Sequence, residues 1–132
     1  MKDLLDKVND FNKVFKVGGR PGNIDFLSHK EYLLRYSLMN EENGEYFEAC
    51  QDDDLVEIAD ALGDQLYILL GTINRHGLQD KIIDVFNEIH SSNMSKLEDG
   101  KPLIREDGKI LKGKNYFKPK LKPILNGEGK RN

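Results

Sequence analysis

The chain has 132 residues, 33% of them charged and 38% hydrophobic, with a net charge of −3. That size supports one core, and the mild acidity argues against a surface that coats nucleic acid. A single cysteine, Cys50, excludes an intramolecular disulfide and a cysteine-rich metal site.

Residues 3–15 carry Leu4, Leu5, Val8, Phe11 and Phe15 at helical spacing and predict a first helix. These residues lack a secretory leader's apolar stretch, and no run is long and apolar enough for a membrane span. The expectation is a cytoplasmic protein with no membrane partner. Gly18, Gly19, Pro21 and Gly22 make 16–23 a loop. Ser28 followed by Glu31 has the form of a capping box and opens a second helix over 29–51. The acids 52–54 end that helix and cap a third over 54–75, with Gly77 at its stop. Residues 78–95 predict a fourth helix.

After Lys96 the composition changes: residues 97–132 hold five of the 12 glycines and three of the four prolines. Residues 103–105 and 109–111 flank Glu106-Asp107-Gly108 and predict a short hairpin in a basic, lightly structured tail. The expected organisation is a helical domain over 1–96 and a C-terminal arm over 97–132. The fold class is all-α, a four-helix bundle completed in one chain or by dimerisation.

The positions of the acids carry most of the functional information. Leu38, Glu42, Glu45 and Ala49 share one face of the second helix, so two glutamates occupy a stripe that begins and ends apolar. Glu57, Asp60 and Asp64 share a face of the third helix, and their line continues into Ile68 and Gly71. Leu55, Ile58, Leu62, Leu66 and Ile73 lie roughly opposite as an apolar face. Beyond Asp64 the helix is apolar all round. One stripe alone reads as a solvated acidic face. Two stripes on consecutive antiparallel helices face each other, repel, and call for a divalent cation with oxygen ligands, Mg²⁺ or Mn²⁺. A di-iron site is set aside, because Glu57 and Asp60 have no histidine at the required spacing.

These residues resemble the all-α nucleoside triphosphate pyrophosphohydrolases, the superfamily of MazG proteins, dimeric dUTPases and phosphoribosyl-ATP pyrophosphohydrolase. The signature is E-x-x-E on one helix and E-x-x-D on the next. Glu42-Asn43-Gly44-Glu45, preceded by Glu41, matches the first half, and Glu57-Ile58-Ala59-Asp60 matches the second. The resemblance covers about residues 3–96, and the tail is similar to small bacterial and phage members. One departure stands out. In most members the second-half acid directly precedes a stretch such as Leu66-Tyr67, which points to Asp64 and leaves Ala61 in the glutamate position. Glu57 with Asp60, or Asp60 with Asp64, therefore forms the second ligand pair.

The resemblance implies Mg²⁺-dependent release of pyrophosphate from a nucleotide. It implies metal ligands among Glu42, Glu45, Glu57, Asp60 and Asp64, and Glu41 or Glu42 as general base. It places substrate contacts at Asn93 and Lys96, with Lys112, Lys114 and Tyr116 of the arm as further candidates. Phe15 is expected in the core. The apolar half of the third helix needs cover on every side, so a homodimer or dimer of dimers is expected. The competing expectation is a non-catalytic nucleotide- or metal-binding helical dimer acting as a regulatory or adaptor module.

Overall fold

A computed structural model of the chain describes residues 1–126. The chain is predominantly helical and divides into two compact units, Met1–Asp80 and a second that begins at Lys81. The compositional change at Lys96 therefore falls inside the second unit.

The first unit holds α1 (Lys2–Val14), α2 (His29–Gln51) and α3 (Leu55–Arg75). Ser28 caps α2 by accepting a hydrogen bond from the Glu31 amide at 3.2 Å. Only half of the expected capping box forms, because both Glu31 carboxylate oxygens are taken by Arg75, at 2.5 and 3.1 Å.

Both α2 and α3 end in a Schellman closure, in which two amides past the helix bond back to its last carbonyls. At the end of α2, Asp53 bonds to the Cys50 carbonyl and Asp54 to that of Ala49. Asp53 takes the left-handed conformation at φ +52°, and Asp54 then caps α3 through the Glu57 amide at 3.1 Å. The connector is thus only Asp52–Asp54, and α2 and α3 run as an antiparallel hairpin.

At the end of α3, Gly77 bonds to Asn74 and Leu78 to Ile73. Gly77 has φ +73°, and a Cβ there would lie 2.6 Å from the Asn23 carbonyl oxygen. Gly77→Ala is expected to cost at least about 2 kcal/mol, read by chemical denaturation.

The expected apolar face of α3 is not its buried face. Leu55, Leu62 and Leu66 are exposed, at 79%, 48% and 42%, and Leu69 is 47% exposed. Of the five residues read as that face only Ile73 is buried; the core residues of α3 are Ala61, Leu70, Gly71, Ile73 and Asn74. The reason is partly steric: Gly71, which continues the acidic stripe, lets Val8 and Asn12 of α1 and Arg35 of α2 pack directly against the α3 backbone. Phe15 is likewise not in the core. It is 65% exposed and stacks on Phe11, which meets the edge of Tyr67.

A buried polar network holds the unit. Asn74 is fully buried; it donates to the Leu5 carbonyl at 2.8 Å and accepts from Arg20 Nε at 2.8 Å. Arg20 also pairs with Asp6 at 2.9 Å, and its amide donates to Asn9. Arg75 bonds the Gly19 carbonyl as well as Glu31. The glycine-rich loop is therefore fastened near its middle, at Gly19 by Arg75 and through the Arg20 side chain.

The second unit holds α4 (Ile82–Met94), the strands β1 (Leu103–Ile104) and β2 (Ile110–Leu111), and a short α5 (Lys122–Leu125). The strands pair antiparallel, Leu103 opposite Leu111 and Ile104 opposite Ile110, with Gly108 at φ +88° in the turn. The fourth helix starts at Ile82, not at Leu78, because Leu78 is spent on closing α3.

The arm has little regular structure, yet it is tied closely to α4. Gly113 N–H donates to the Lys96 carbonyl at 3.0 Å, and Lys120 N–H to Glu88 at 2.8 Å. Ser92 Oγ donates to the Phe117 carbonyl at 2.8 Å, and Phe117 N–H to Ser95 Oγ at 3.1 Å. Polar residues on α4, with Glu88 and Ser92 buried, supply the partners an irregular backbone needs.

Candidate functional site

The α2–α3 hairpin sets which acids meet. Gln65 Nε2 donates to Asn43 Oδ1 at 3.3 Å, so residues 43 and 65 lie side by side across the hairpin. Asp64 is then level with the Glu42–Glu45 turn of α2. Asp60 and Glu57 lie one and two turns nearer the connector, both exposed.

Glu42 is the focus of the cluster. It is half-buried, and its Oε2 is enclosed without a hydrogen-bond partner. Burial pushes its carboxyl up to about 7; a hydrogen bond with Glu45 and the charges of Glu45, Asp64 and Glu41 add to the rise. Glu42 therefore takes up a proton as pH falls through about 7, well above the usual carboxylate range. Glu41 and Glu45 are exposed and extend from a helix whose backbone is fixed.

This arrangement fits a divalent cation in chemistry. An enclosed oxygen without a donor and a proton taken up near neutrality are what a hard cation would replace. Among the described residues, no three acid, histidine or cysteine side chains converge as a ready ligand set. Glu41 and Glu45 would have to swing in by side-chain rotation, which exposed glutamates do readily.

A cleft of about 220 Å³ lies on the same hairpin, lined by Tyr36, Met39, Asn40, Asn43 and Gln65. Three carboxamides and one aromatic ring give it donors, acceptors and a flat face without charge. The only signal of this cleft in the sequence is that Tyr36, Asn40 and Asn43 recur at helical spacing beside the glutamates.

The expected substrate contacts lie in the second unit. Asn93 is exposed at the end of α4 and Lys96 is half-buried just beyond it. The arm returns to this end through the Gly113–Lys96 bond. Lys112 lies over the Tyr116 ring at 4.8 Å, and Lys114 is 3.9 Å from Asp99. Within this unit all five residues lie on α4's C-terminal segment or on the part of the arm fastened to it.

The sequence profile of the family described as Phosphoribosyl-ATP pyrophosphohydrolase matches residues 8–93. A relative, Uncharacterized protein L479 of Acanthamoeba polyphaga mimivirus, is 39% identical over 71 residues. That match covers 48% of this chain and 27% of the relative. The profile spans the second half of α1, the α2–α3 hairpin with every candidate acid, and nearly all of α4. Pyrophosphohydrolases of this kind generally use divalent metal ions. On that match, the chain belongs to the phosphoribosyl-ATP pyrophosphohydrolase family.

Proposed function

We propose that the protein hydrolyses a nucleoside triphosphate, or a related nucleotide, between its α and β phosphates, in a Mg²⁺-dependent reaction. The observation that carries this reading is the register of the hairpin, which sets Asp64 level with Glu42 and Glu45 and leaves Glu42 enclosed and raised to about 7. Glu42, Glu45 and Asp64 would hold the metal, with Asp60 and Glu57 further along the stripe. When bound, the cation would neutralise phosphate oxygens and lower the pKa of a water. Glu41 or Glu42 takes the proton of the attacking water as general base; a carboxylate titrating near 7 suits that task. Water adds to the α phosphorus, its bond to the bridging oxygen breaks, and pyrophosphate leaves with that oxygen. The monophosphate is the other product.

Asn93 and Lys96 keep the nucleotide-contact role implied by the resemblance, and Lys112, Lys114 and Tyr116 of the arm are further candidates for phosphate and base contact. The carboxamide cleft is suited to the edge of a base, since Asn and Gln side chains pair with adjacent donors and acceptors there. Asn40→Ala is expected to raise KM several-fold and to flatten selectivity among bases, with kcat nearly unchanged. The half-exposed leucines 62, 66 and 69 support a homodimer in which a second copy covers α3.

The test is pyrophosphate release from a panel of canonical and modified nucleotides, with Mg²⁺ and then Mn²⁺, and Glu45→Gln as control. Pyrophosphate with matching monophosphate, lost in the variant, establishes the reaction and ranks substrates. The alternative is a non-catalytic nucleotide-binding dimer, favoured by the buried Ala61 in a position where the family carries a glutamate. It predicts stabilisation by Mg²⁺ and nucleotide without turnover.

A further inference from the structure

The net charge of the whole chain hides an uneven distribution. Residues 1–80 carry 16 acids and eight lysines or arginines, whereas residues 81–126 carry six acids and ten lysines or arginines. Within the second unit the excess is local: residues 109–122 hold six lysines and no acid. An argument from total charge therefore says nothing against an anionic partner of this segment.

The lysines stand on a fixed backbone. Phe117 is tied to the end of α4 through both of its peptide groups: its N–H donates to Ser95 Oγ, and its carbonyl accepts from Ser92 Oγ. Three residues on, the Lys120 N–H donates to Glu88. Pro119 and Pro123 restrict the chain further. Exposure then alternates. Lys118, Lys120 and Lys122 are exposed, while Pro119, Leu121 and Pro123 are half-buried and Ile124 is buried. Among the described residues none of these three ammonium groups has an acidic partner. Lys112 and Lys114 are already engaged, over Tyr116 and toward Asp99.

A fixed row of unpaired cations fits a chain of regularly spaced anions. An extended step of two residues, as from Lys118 to Lys120, spans about 6.6 Å, close to the step between successive phosphates of a stretched single strand. Lysine meets a phosphate as a point charge and reads no base. Phe117, at the head of the row, is 36% exposed and offers a ring on which an unpaired base can stack. A membrane surface would call for apolar side chains pointing the same way as the lysines, and the residues between them are half-buried instead.

We propose that Lys118, Lys120 and Lys122, with Phe117, form a docking strip for the backbone of a single-stranded nucleic acid, without sequence preference. The strip does not depend on the pyrophosphohydrolase reading.

Fluorescence anisotropy of a labelled 20-nucleotide single strand with a 5′-hydroxyl, titrated with the full chain in EDTA, tests this. A Kd below about 100 µM is expected at 50 mM salt, with a logarithmic salt slope of about −2, from about 0.7 per lysine–phosphate contact. The triple variant Lys118→Gln, Lys120→Gln, Lys122→Gln should weaken binding at least tenfold and flatten the slope, while Tm moves by less than about 3 °C because the three side chains are exposed and unpaired. Removing the same charge from α1, by Lys2→Gln, Lys7→Gln and Lys13→Gln, should leave binding nearly unchanged. Absent binding by the wild type, binding that survives in the row variant, or an equal loss in the α1 variant overturns the proposal. So does tighter binding of a duplex of the same length, or binding to phosphatidylserine vesicles in place of the oligonucleotide.

Discussion

Replacing Glu42 by glutamine is expected to cut pyrophosphate release steeply while raising the metal-free melting temperature at pH 8. The two effects have one cause. In the folded chain Glu42 titrates near 7, against an ordinary 4.5, because it is enclosed and faces Glu45, Asp64 and Glu41. The folded state therefore binds a proton more tightly than the unfolded state does. Stability from this group is fully present below about pH 4.5 and is lost as pH rises through about 7. The metal-free wild type should show a Tm that falls across this window and levels off above it. Glutamine keeps the shape and cannot ionise, so the slope should flatten and the loss above pH 7 should disappear. Mg²⁺ at pH 8 should stabilise the wild type by taking the proton's place, and should do so much less in the variant. Turnover should fall by about 10²–10⁴-fold, the usual span for losing a positioned general base. A variant less stable than wild type at pH 8 without metal would show that the cluster is not strained, and would remove the main support for a metal there.

Asn74→Ala is expected to be the most destabilising single truncation in the first unit. The side chain is fully buried and bridges the Leu5 carbonyl of α1 to the Arg20 guanidinium of the loop. Alanine breaks both bonds, leaves a void, and removes one of the partners of a guanidinium that is otherwise held by Asp6. The cost should be about 3 kcal/mol, or a fall in Tm of about 10 °C. Asn74→Asp keeps the shape and the bond to Arg20 but meets the Leu5 carbonyl with an acceptor, so it should recover little. Denaturant titration at constant m-value measures both. A loss below about 1 kcal/mol in the alanine variant would mean that α1 and the loop are held without this bridge.

Much of this was legible in the chain itself, because local rules wrote it. Ser28 and Asp54 mark helix starts, Gly77 marks a helix end, and the hairpin at 103–111 follows its turn residues. The start of α4 was misread because Leu78 looks like the first apolar residue of a new helix. It serves instead as the last partner of the old one, and that role depends on a hydrogen bond six residues long. The buried face of α3 was misread for a different reason. Periodicity ranks faces by how apolar they are, whereas close helix contact selects small residues, here Ala61 and Gly71. The acidic stripes were visible, but the pairing of Glu42 and Glu45 with Asp64 depends on hairpin register, which the Asn43–Gln65 bond reveals. The Arg20, Arg75 and Asn74 network is not legible locally, because the bonds of Asn74 to Arg20 and Leu5 and of Arg75 to Glu31 span 44 to 69 residues.

The connector Asp52–Asp54 has a bearing on how this chemistry can change over generations. It is closed at both ends, by the Schellman bonds of α2 and by the cap of α3, so it has no slack. One inserted residue would turn α3 by about 100° relative to α2 and carry Asp64 away from Glu42. Point substitutions can remodel the amide-lined cleft freely, but a change in connector length would dismantle the acidic centre in one step. Diversity among relatives that keep the centre should therefore accumulate in side chains along α2 and in the loop before it, while the length of this turn stays fixed.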